Sequence, residues 1–326
     1  MEFRLEFTPK PFATKINHQH KLFLAGSCFT EQIGSKLAAH KFRIIDNPNG
    51  ILFNPVSIAK SVISYIDNKT YRGEDLFYNN ELWGSWEHHT KFSNIDKEVS
   101  LQLINESQQA AHQFLKESDW LLLTLGSAFV YELENNQVVA NCHKVPTDKF
   151  KKRLLPVDEV ITTLDTLIYR LKQFNPSIKI IFTISPVRHL RDGFVENNRS
   201  KATLINAVHH MVDKFEGLYY FPAYELIIDD LRDYRFFAED MVHPNYAATN
   251  YVWEKFVNAC IDETSQSLMK EINTINAAKN HKAFNPASAA HKKFLQTNLA
   301  KAKTLAEEHG YIDMSGEIEY FQNSIL

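Results

Sequence analysis

Two short motifs carry residue types able to do acyl chemistry. Gly26-Ser27-Cys28-Phe29-Thr30 sets a hydroxyl beside a thiol directly after an apolar run, and Glu239-Asp240-Met241-Val242-His243-Pro244 follows some two hundred residues later. The first has the form of a strand-to-helix turn. The second is a loop that Pro244 stiffens. A glycine after a buried strand lets the chain turn sharply, and the next side chains stand at a helix N-terminus. There, free amides and the helix dipole favour negative charge, either a thiolate or an oxyanion. In Asp240-x-x-His243 the carboxylate is spaced to accept Nδ1–H and leave Nε2 for a nucleophile. Nucleophile, acid and base in that chain order are the parts of an acyl-transfer triad. Each motif also has a plainer meaning: Ser27 as a helix cap with Cys28 as a small buried residue, and Asp240 heading an Asx-turn before a surface His243.

The elements that must position these residues alternate. Five apolar runs predict buried parallel strands: Leu22–Ala25, Phe42–Ile45, Trp120–Leu125, Ile178–Ile184 and Leu218–Phe221. Helical patterns fall between them. Asn54-Pro55 is an N-cap followed by proline at the first helical position, opening a helix through Ile66. Residues 97–116 form a polar amphipathic helix with Val99, Leu103 and Phe114 among its apolar positions. Pro156 to Phe174 carries one continuous stripe, Val157, Val160, Ile161, Leu164, Leu167, Ile168 and Leu171, stopped by Asn175-Pro176. A further helix spans about Asn198 to Glu216 with Gly217 as its C′ residue, and another follows Pro244 to about Ile261. The alternation predicts a doubly wound parallel sheet with helices on both faces, whose ligands gather at the carboxyl ends of the strands. Gly26-Ser27-Cys28, Gly126-Ser127 and Ser185-Pro186-Val187-Arg188 all lie just past such ends. Two hairpin-like segments, 74–92 and 129–142, each with an Asn-Asn turn, interrupt the pattern. The expected domains are residues 1–261 and a helical C-terminal extension, 262–326, with an amphipathic helix at 288–309 that packs back or serves self-association.

Composition narrows the class. In 326 residues, an apolar fraction of 44% and a charged fraction of 23% are ordinary for a globular protein. A net charge of −3 with a pI near 6.5 gives no support to nucleic-acid binding. The N-terminal residues scatter charges and lack the apolar core of a signal peptide. No apolar run approaches the roughly 20 residues of a membrane helix, so no membrane partner is expected. Three widely spaced cysteines, Cys28, Cys142 and Cys260, do not make a disulfide framework and fit a reducing cytoplasm.

The chain resembles the GSCFA family, within the wider SGNH (GDSL-like) hydrolase clan. The resemblance rests on Gly26-Ser27-Cys28-Phe29-Thr30, where Thr30 replaces the eponymous alanine, on Asn141-Cys142-His143-Lys144-Val145-Pro146, on Ser185-Pro186-Val187-Arg188, and on Ala238 to Pro244. It covers roughly residues 1–260. It implies a three-layer α/β/α sandwich of flavodoxin-like type and ester hydrolysis or acyl transfer with no metal or organic cofactor. The clan's first block is Gly-Asp-Ser, so an ungapped match puts Cys28 on the nucleophile, with Ser27 exchanging roles if the turn shifts by one residue. Asp240 and His243 match the clan's orienting acid and general base. Gly50, in Asn47-Pro48-Asn49-Gly50, matches the glycine whose amide joins the oxyanion hole. The clan's third block, Gly-x-Asn-Asp, is here Gly126-Ser127-Ala128-Phe129, so its asparagine is absent. Losing one such donor typically costs about 10²–10³ in rate where it is used.

The remaining candidates are polar residues near the same strand ends. Cys142-His143 follows the second hairpin and is expected to bring a polar edge to the pocket. A zinc site from Cys142, His143, His88 and His89 is disfavoured, because adjacent residues rarely both ligate one ion. Arg188 suits a substrate carboxylate or phosphate, or alternatively a salt bridge to Asp192. With Gly50 and Gly126, these make up the expected oxyanion and substrate-binding group. Two functions compete. One is an esterase or acyltransferase acting through an acyl-enzyme on a small-molecule or glycan ester; the other is an inactive binding module for a glycan or acylated ligand. A homo-oligomer through the C-terminal helices is a further expectation.

Overall fold

A computed structural model describes residues 4–325. Its strands are β1 (Lys21–Gly26), β2 (Arg43–Asp46), β3 (Phe77–Asn79), β4 (Leu82–Gly84), β5 (Trp120–Leu125), β6 (Phe129–Glu132), β7 (Val138–Val139), β8 (Lys151–Leu154), β9 (Lys179–Ile184) and β10 (Leu218–Tyr220). The helices are α1 (Cys28–Ala39), α2 (Pro55–Ile66), α3 (Lys97–Lys116), α4 (Val157–Phe174), α5 (Phe194–Lys214), α6 (Ala223–Glu225), α7 (Tyr246–Cys260), α8 (Glu263–Lys279), α9 (Ala289–Glu308) and α10 (Ser315–Ile325). A π-helical turn, Leu226–Leu231, continues α6.

The central sheet has the order β10-β9-β5-β1-β2, and every neighbouring pair is parallel. This is the flavodoxin-type order, in which the winding reverses between the first and third strands and opens a crevice outside their carboxyl ends. That reversal falls between β1 and β5. Gly26 stands opposite Thr124 in the register, so Cys28 and Gly126 leave the sheet side by side.

Alternation along the strands divides the core into two layers. Phe23 and Ala25 of β1, with Leu121 and Leu123 of β5, face α2, α4 and α5 through Ile58, Leu164 and Leu204. Leu22 and Leu24, with Leu122, face α1 and α7 through Ile33, Leu37 and Phe256. Each such side chain, fully buried, stabilises the fold by about 1.5–3 kcal/mol. The three interior strands are buried along their length, as strands covered on both faces must be. β2 departs from the expectation of a buried strand: it pairs on one side only, and Arg43 is exposed.

Several boundaries move for identifiable reasons. α2 begins as its sequence signals, with the Asn54 carbonyl oxygen accepting the Ser57 amide at 2.8 Å. In α3 the buried stripe is Ser100, Ile104, Gln108, Ala111 and Leu115, while Val99 and Leu103 are offset by one position and face solvent. α5 begins earlier than expected and ends at Lys214. Gly217, with φ +77°, therefore serves the turn into β10 rather than capping the helix.

Both expected hairpins are present. β3 and β4 are antiparallel around Asn80 and Glu81, which both take positive φ, the conformation of a tight two-residue turn. The second segment recruits β8, unanticipated, into an antiparallel sheet of order β7-β6-β8. The two insertions join where the Ala140 amide donates to the Trp86 carbonyl at 2.7 Å.

Helices α8–α10 share a core of their own that includes Leu268, Ile272, Leu295, Leu305 and Phe321. They are fastened to the sandwich by Glu317, buried, which accepts from Lys41 at 2.6 Å and Lys279 at 3.2 Å. No helix among the described residues is long and apolar enough to cross a membrane.

Candidate active site

The turn after β1 is built by close approach. Gly26 has φ +145°, and a Cβ there would overlap the Thr124 carbonyl oxygen and come within 2.8 Å of the Thr124 nitrogen. Its amide donates to the Asn47 side chain at 2.8 Å, and its carbonyl accepts the Leu52 amide at 3.0 Å. Ser27 is the N-cap of α1 and is fully buried, with Oγ accepting the Phe29 amide at 3.4 Å. Cys28 is the first helical residue and only half-buried. Burial pushes its thiol up, while its own amide, the Phe29 amide and the positive charge of Lys201 favour the thiolate. The N-terminal position thus gives sulfur two amide donors and gives Ser27 a capping bond.

The second motif also takes the geometry its spacing allows. His243 Nδ1 lies 2.6 Å from Asp240 Oδ2, and Asp240 Oδ1 accepts the Val242 and His243 amides at 2.9 and 3.0 Å. These bonds hold the Asp240 carboxyl down at about 2, so it is ionised at neutral pH and keeps the imidazole proton on Nδ1. The Asx-turn and the Asp–His pair therefore coexist on one carboxylate. Both side chains are about half exposed. The Arg188 amide donates to the Val242 carbonyl at 3.2 Å, tying this loop to the segment that follows β9.

Lys201 and His189 lie between the motifs. Lys201, on α5, is 1% exposed and donates to the carbonyls of Gly126 and Ser185, both at 2.7 Å. Burial lowers Lys201 to about 7, offset in part by Cys28. Burial, then the positive charges of Lys201 and His243, push His189 down to about 3, so it is a neutral imidazole. Its Nε2 is buried without a partner, beside Gly126. The electrostatic couplings Cys28–Lys201–His189–His243 run across one cleft at the carboxyl ends of β1, β5 and β9. Among the described residues, no hydrogen bond joins His243 to Ser27 or Cys28.

Three expectations need correction. The Gly50 amide is spent on the Asn47 carbonyl at 2.7 Å, and the Gly126 amide on the Phe53 carbonyl at 2.8 Å, so neither is free for an oxyanion. His143 has Nε2 on the Ser85 carbonyl at 2.8 Å and Nδ1 near Ser93 Oγ at 3.4 Å, which makes it a clasp on the first hairpin. Arg188 does not pair with Asp192, which binds Lys152 instead. The Arg188 guanidinium lies 4.2 Å from the Phe237 ring centre and 5.0 Å from that of Tyr234, with Nη1 buried and unpartnered. Cys142 is half-buried, and burial raises its thiol. His88 is buried with Nδ1 on Ser85 Oγ at 3.0 Å, while His89 caps a short turn. Among the described residues, no three His, Cys, Asp or Glu side chains gather as metal ligands.

Lys201, His189 and Asn49 escape a reading of residue types. Lys201 stands in the polar run Asn197-Asn198-Arg199-Ser200-Lys201, which resembles a solvated face. Its spacing to Leu204, Val208 and Met211 nevertheless puts it on the buried stripe of α5, and that was the available signal. Asn49 is buried with both side-chain polar atoms unpartnered, two residues after the Asn47 that clamps Gly26.

Comparisons with solved structures show low similarity across most of the chain. A protein of Streptococcus pneumonia described as a platelet activating factor is 14% identical, with 75% of this chain and 83% of that one covered and a TM-score of 0.39. A carbohydrate esterase family 3 protein of Talaromyces cellulolyticus is 10% identical, with coverages of 78% and 99% and a TM-score of 0.35. An acetyl xylan esterase of the rumen bacterium Butyrivibrio proteoclasticus is 10% identical, with coverages of 79% and 64% and a TM-score of 0.35. Scores this low assign no activity here. No curated protein matches. The C-terminal domain of GSCFA domain proteins matches residues 272–326, and the GSCFA family itself matches residues 21–256. With both motifs and most of the sheet inside that match, the chain belongs to the GSCFA family.

Proposed function

We propose that this chain is an SGNH-like esterase or acyltransferase that works through a covalent acyl-enzyme on an O-acylated small molecule or glycan. One observation carries the reading: a half-buried thiol at the first turn of α1 shares a cleft with a histidine held on Asp240 at 2.6 Å. In this reading Cys28 Sγ attacks the ester carbonyl, and the new oxyanion rests on the Cys28 and Phe29 amides. Collapse breaks the ester C–O bond and releases the alcohol. Water or a second hydroxyl then gives its proton to His243 Nε2 and displaces the sulfur. Arg188, with aromatic rings beside it and no carboxylate partner, would hold a carboxylate or phosphate on the substrate. Three free thiols fit a reducing cytoplasm.

The competing reading is an inactive SGNH-fold module that binds a glycan or acylated ligand. It is favoured by the engaged Gly50 and Gly126 amides together with the absent third-block asparagine. Turnover of p-nitrophenyl acetate by wild type, Ser27→Ala and Cys28→Ala separates the two. Acyl transfer requires Cys28→Ala to fall to background, a loss of roughly 10⁴ or more. Equal, background-level rates in all three proteins would leave the binding module.

A further inference from the structure

Lys201 is a fully enclosed lysine with no carboxylate partner among the described residues. Long cationic side chains are almost never buried in this way without a paired acid. Its two hydrogen bonds go to the carbonyls of Gly126 and Ser185, which end β5 and β9 on the crevice side. A neutral amine has two N–H groups and one lone pair, so these two bonds use every donor of the uncharged form and leave the lone pair. The strand register brings Gly126 level with Cys28, which sets the amine beside the thiol at the point where the sheet winding reverses.

We infer that Lys201 is the base for Cys28, taking the thiol proton onto Nζ to form a thiolate–ammonium pair, while Asp240–His243 serves the incoming acceptor. The inference rests on the acyl-transfer reading and divides its proton traffic between two groups. The Sγ–H bond breaks, its electrons stay on sulfur, and an Nζ–H bond forms. The thiolate attacks the ester carbon, and when the tetrahedral adduct collapses the leaving oxygen takes the proton from Nζ. The acceptor then gives its proton to His243 Nε2 as it attacks the thioester, and the departing thiolate recovers that proton from the imidazolium. The pair ends the cycle as it began.

The surroundings suit the role. Glu31 on α1 opposes the thiolate, and the Lys201 charge opposes Glu31. His189 faces Lys201 as a neutral imidazole, and the Tyr224 ring centre lies 5.8 Å from Nζ. Burial leaves Nζ titrating near 7, so the free amine is present at neutral pH. A base placed there works best when its affinity for protons matches the operating pH.

Alkylation of the cysteines by iodoacetamide, resolved by peptide mass across a pH series, tests this without any ester. In the wild-type protein Cys28 should react with a rate that rises near pH 7. Cys142, half-buried but without such a base, should react only at more alkaline pH. Lys201→Met should slow Cys28 at neutral pH by tenfold or more, roughly the low end of general-base effects, and move its profile upward. Lys201→Arg should do the same, because a guanidinium keeps the charge but yields no base. A Cys28 profile that matches Cys142 in wild type overturns the inference, and this comparison stands even if the variants do not fold. An unchanged profile in folded Lys201→Met overturns it as well. Failure of ester turnover with the Cys28 profile intact would instead refute the acyl-transfer reading.

Discussion

Gly26→Ala is the sharpest structural test of how the site is built. The added methyl group would overlap the Thr124 carbonyl oxygen and approach its nitrogen to 2.8 Å and its carbonyl carbon to 2.9 Å. Contacts of carbon with a backbone oxygen normally stay beyond about 3.3 Å, so β1 and β5 must separate. Separation costs the Ser27 amide bond to Thr124 at 3.1 Å and loosens the Gly26 bonds to Asn47 and Leu52. Each bond is worth about 1 kcal/mol. Holding a non-glycine residue at φ +145° costs about 1–3 kcal/mol more. The combined loss of roughly 4–6 kcal/mol is a large part of the stability of a typical protein. Urea unfolding monitored by tryptophan fluorescence measures it. Cys28 alkylation on the folded fraction then asks whether the turn has moved. A variant that unfolds at the wild-type midpoint and alkylates at the wild-type rate would refute the claim that this close approach sets the site.

Other outcomes follow from single contacts. Ser27→Ala should cost only about 0.5–1 kcal/mol, because its capping bond is long, and should leave ester turnover within about threefold of wild type; loss of turnover in Ser27→Ala with retention in Cys28→Ala would reverse the assignment. Burial pushes Glu87 up, but Lys60, Tyr71 and Lys69 outweigh it and hold the carboxyl at about 2. Its folded value is below the unfolded one, so its contribution, on the order of 3 kcal/mol, is present above about pH 4.3 and is lost as pH falls toward 2. The stability gap between wild type and Glu87→Gln in denaturant titrations should therefore close over that window, and a pH-independent gap would contradict the sign. Glu317→Ala, which strands Lys41 and Lys279, should cost about 1–3 kcal/mol and speed proteolysis around residues 280–288; unchanged cleavage would show that the C-terminal helices do not depend on this pair.

The sheet was legible because parallel strands covered on both faces write themselves as uninterrupted apolar runs. Trp120–Leu125 is the clearest case, and Asn54-Pro55 marks its helix start to the residue. Edge position was not legible: Phe42–Ile45 resembles a buried run, yet Arg43 is exposed because the sheet ends there. The Asp240–His243 pairing follows from three-residue spacing alone, since both partners sit in one short loop. The fate of the Gly50 and Gly126 amides depended on Asn47 and Phe53, contacts set by how the loops cross the strand ends. Lys201 was hidden for a related reason. Its burial comes from packing across β5 and β9, and only its offset from Leu204 betrayed it.

The central claim is that Cys28 becomes acylated and that Asp240–His243 governs release. Protein mixed rapidly with p-nitrophenyl acetate, quenched in acid and mapped by peptide mass, reads this directly. The account predicts an acetyl group on Cys28 that turns over in wild type and accumulates in His243→Ala. Acetylation at Ser27, or no acetyl-enzyme in either protein, would contradict it.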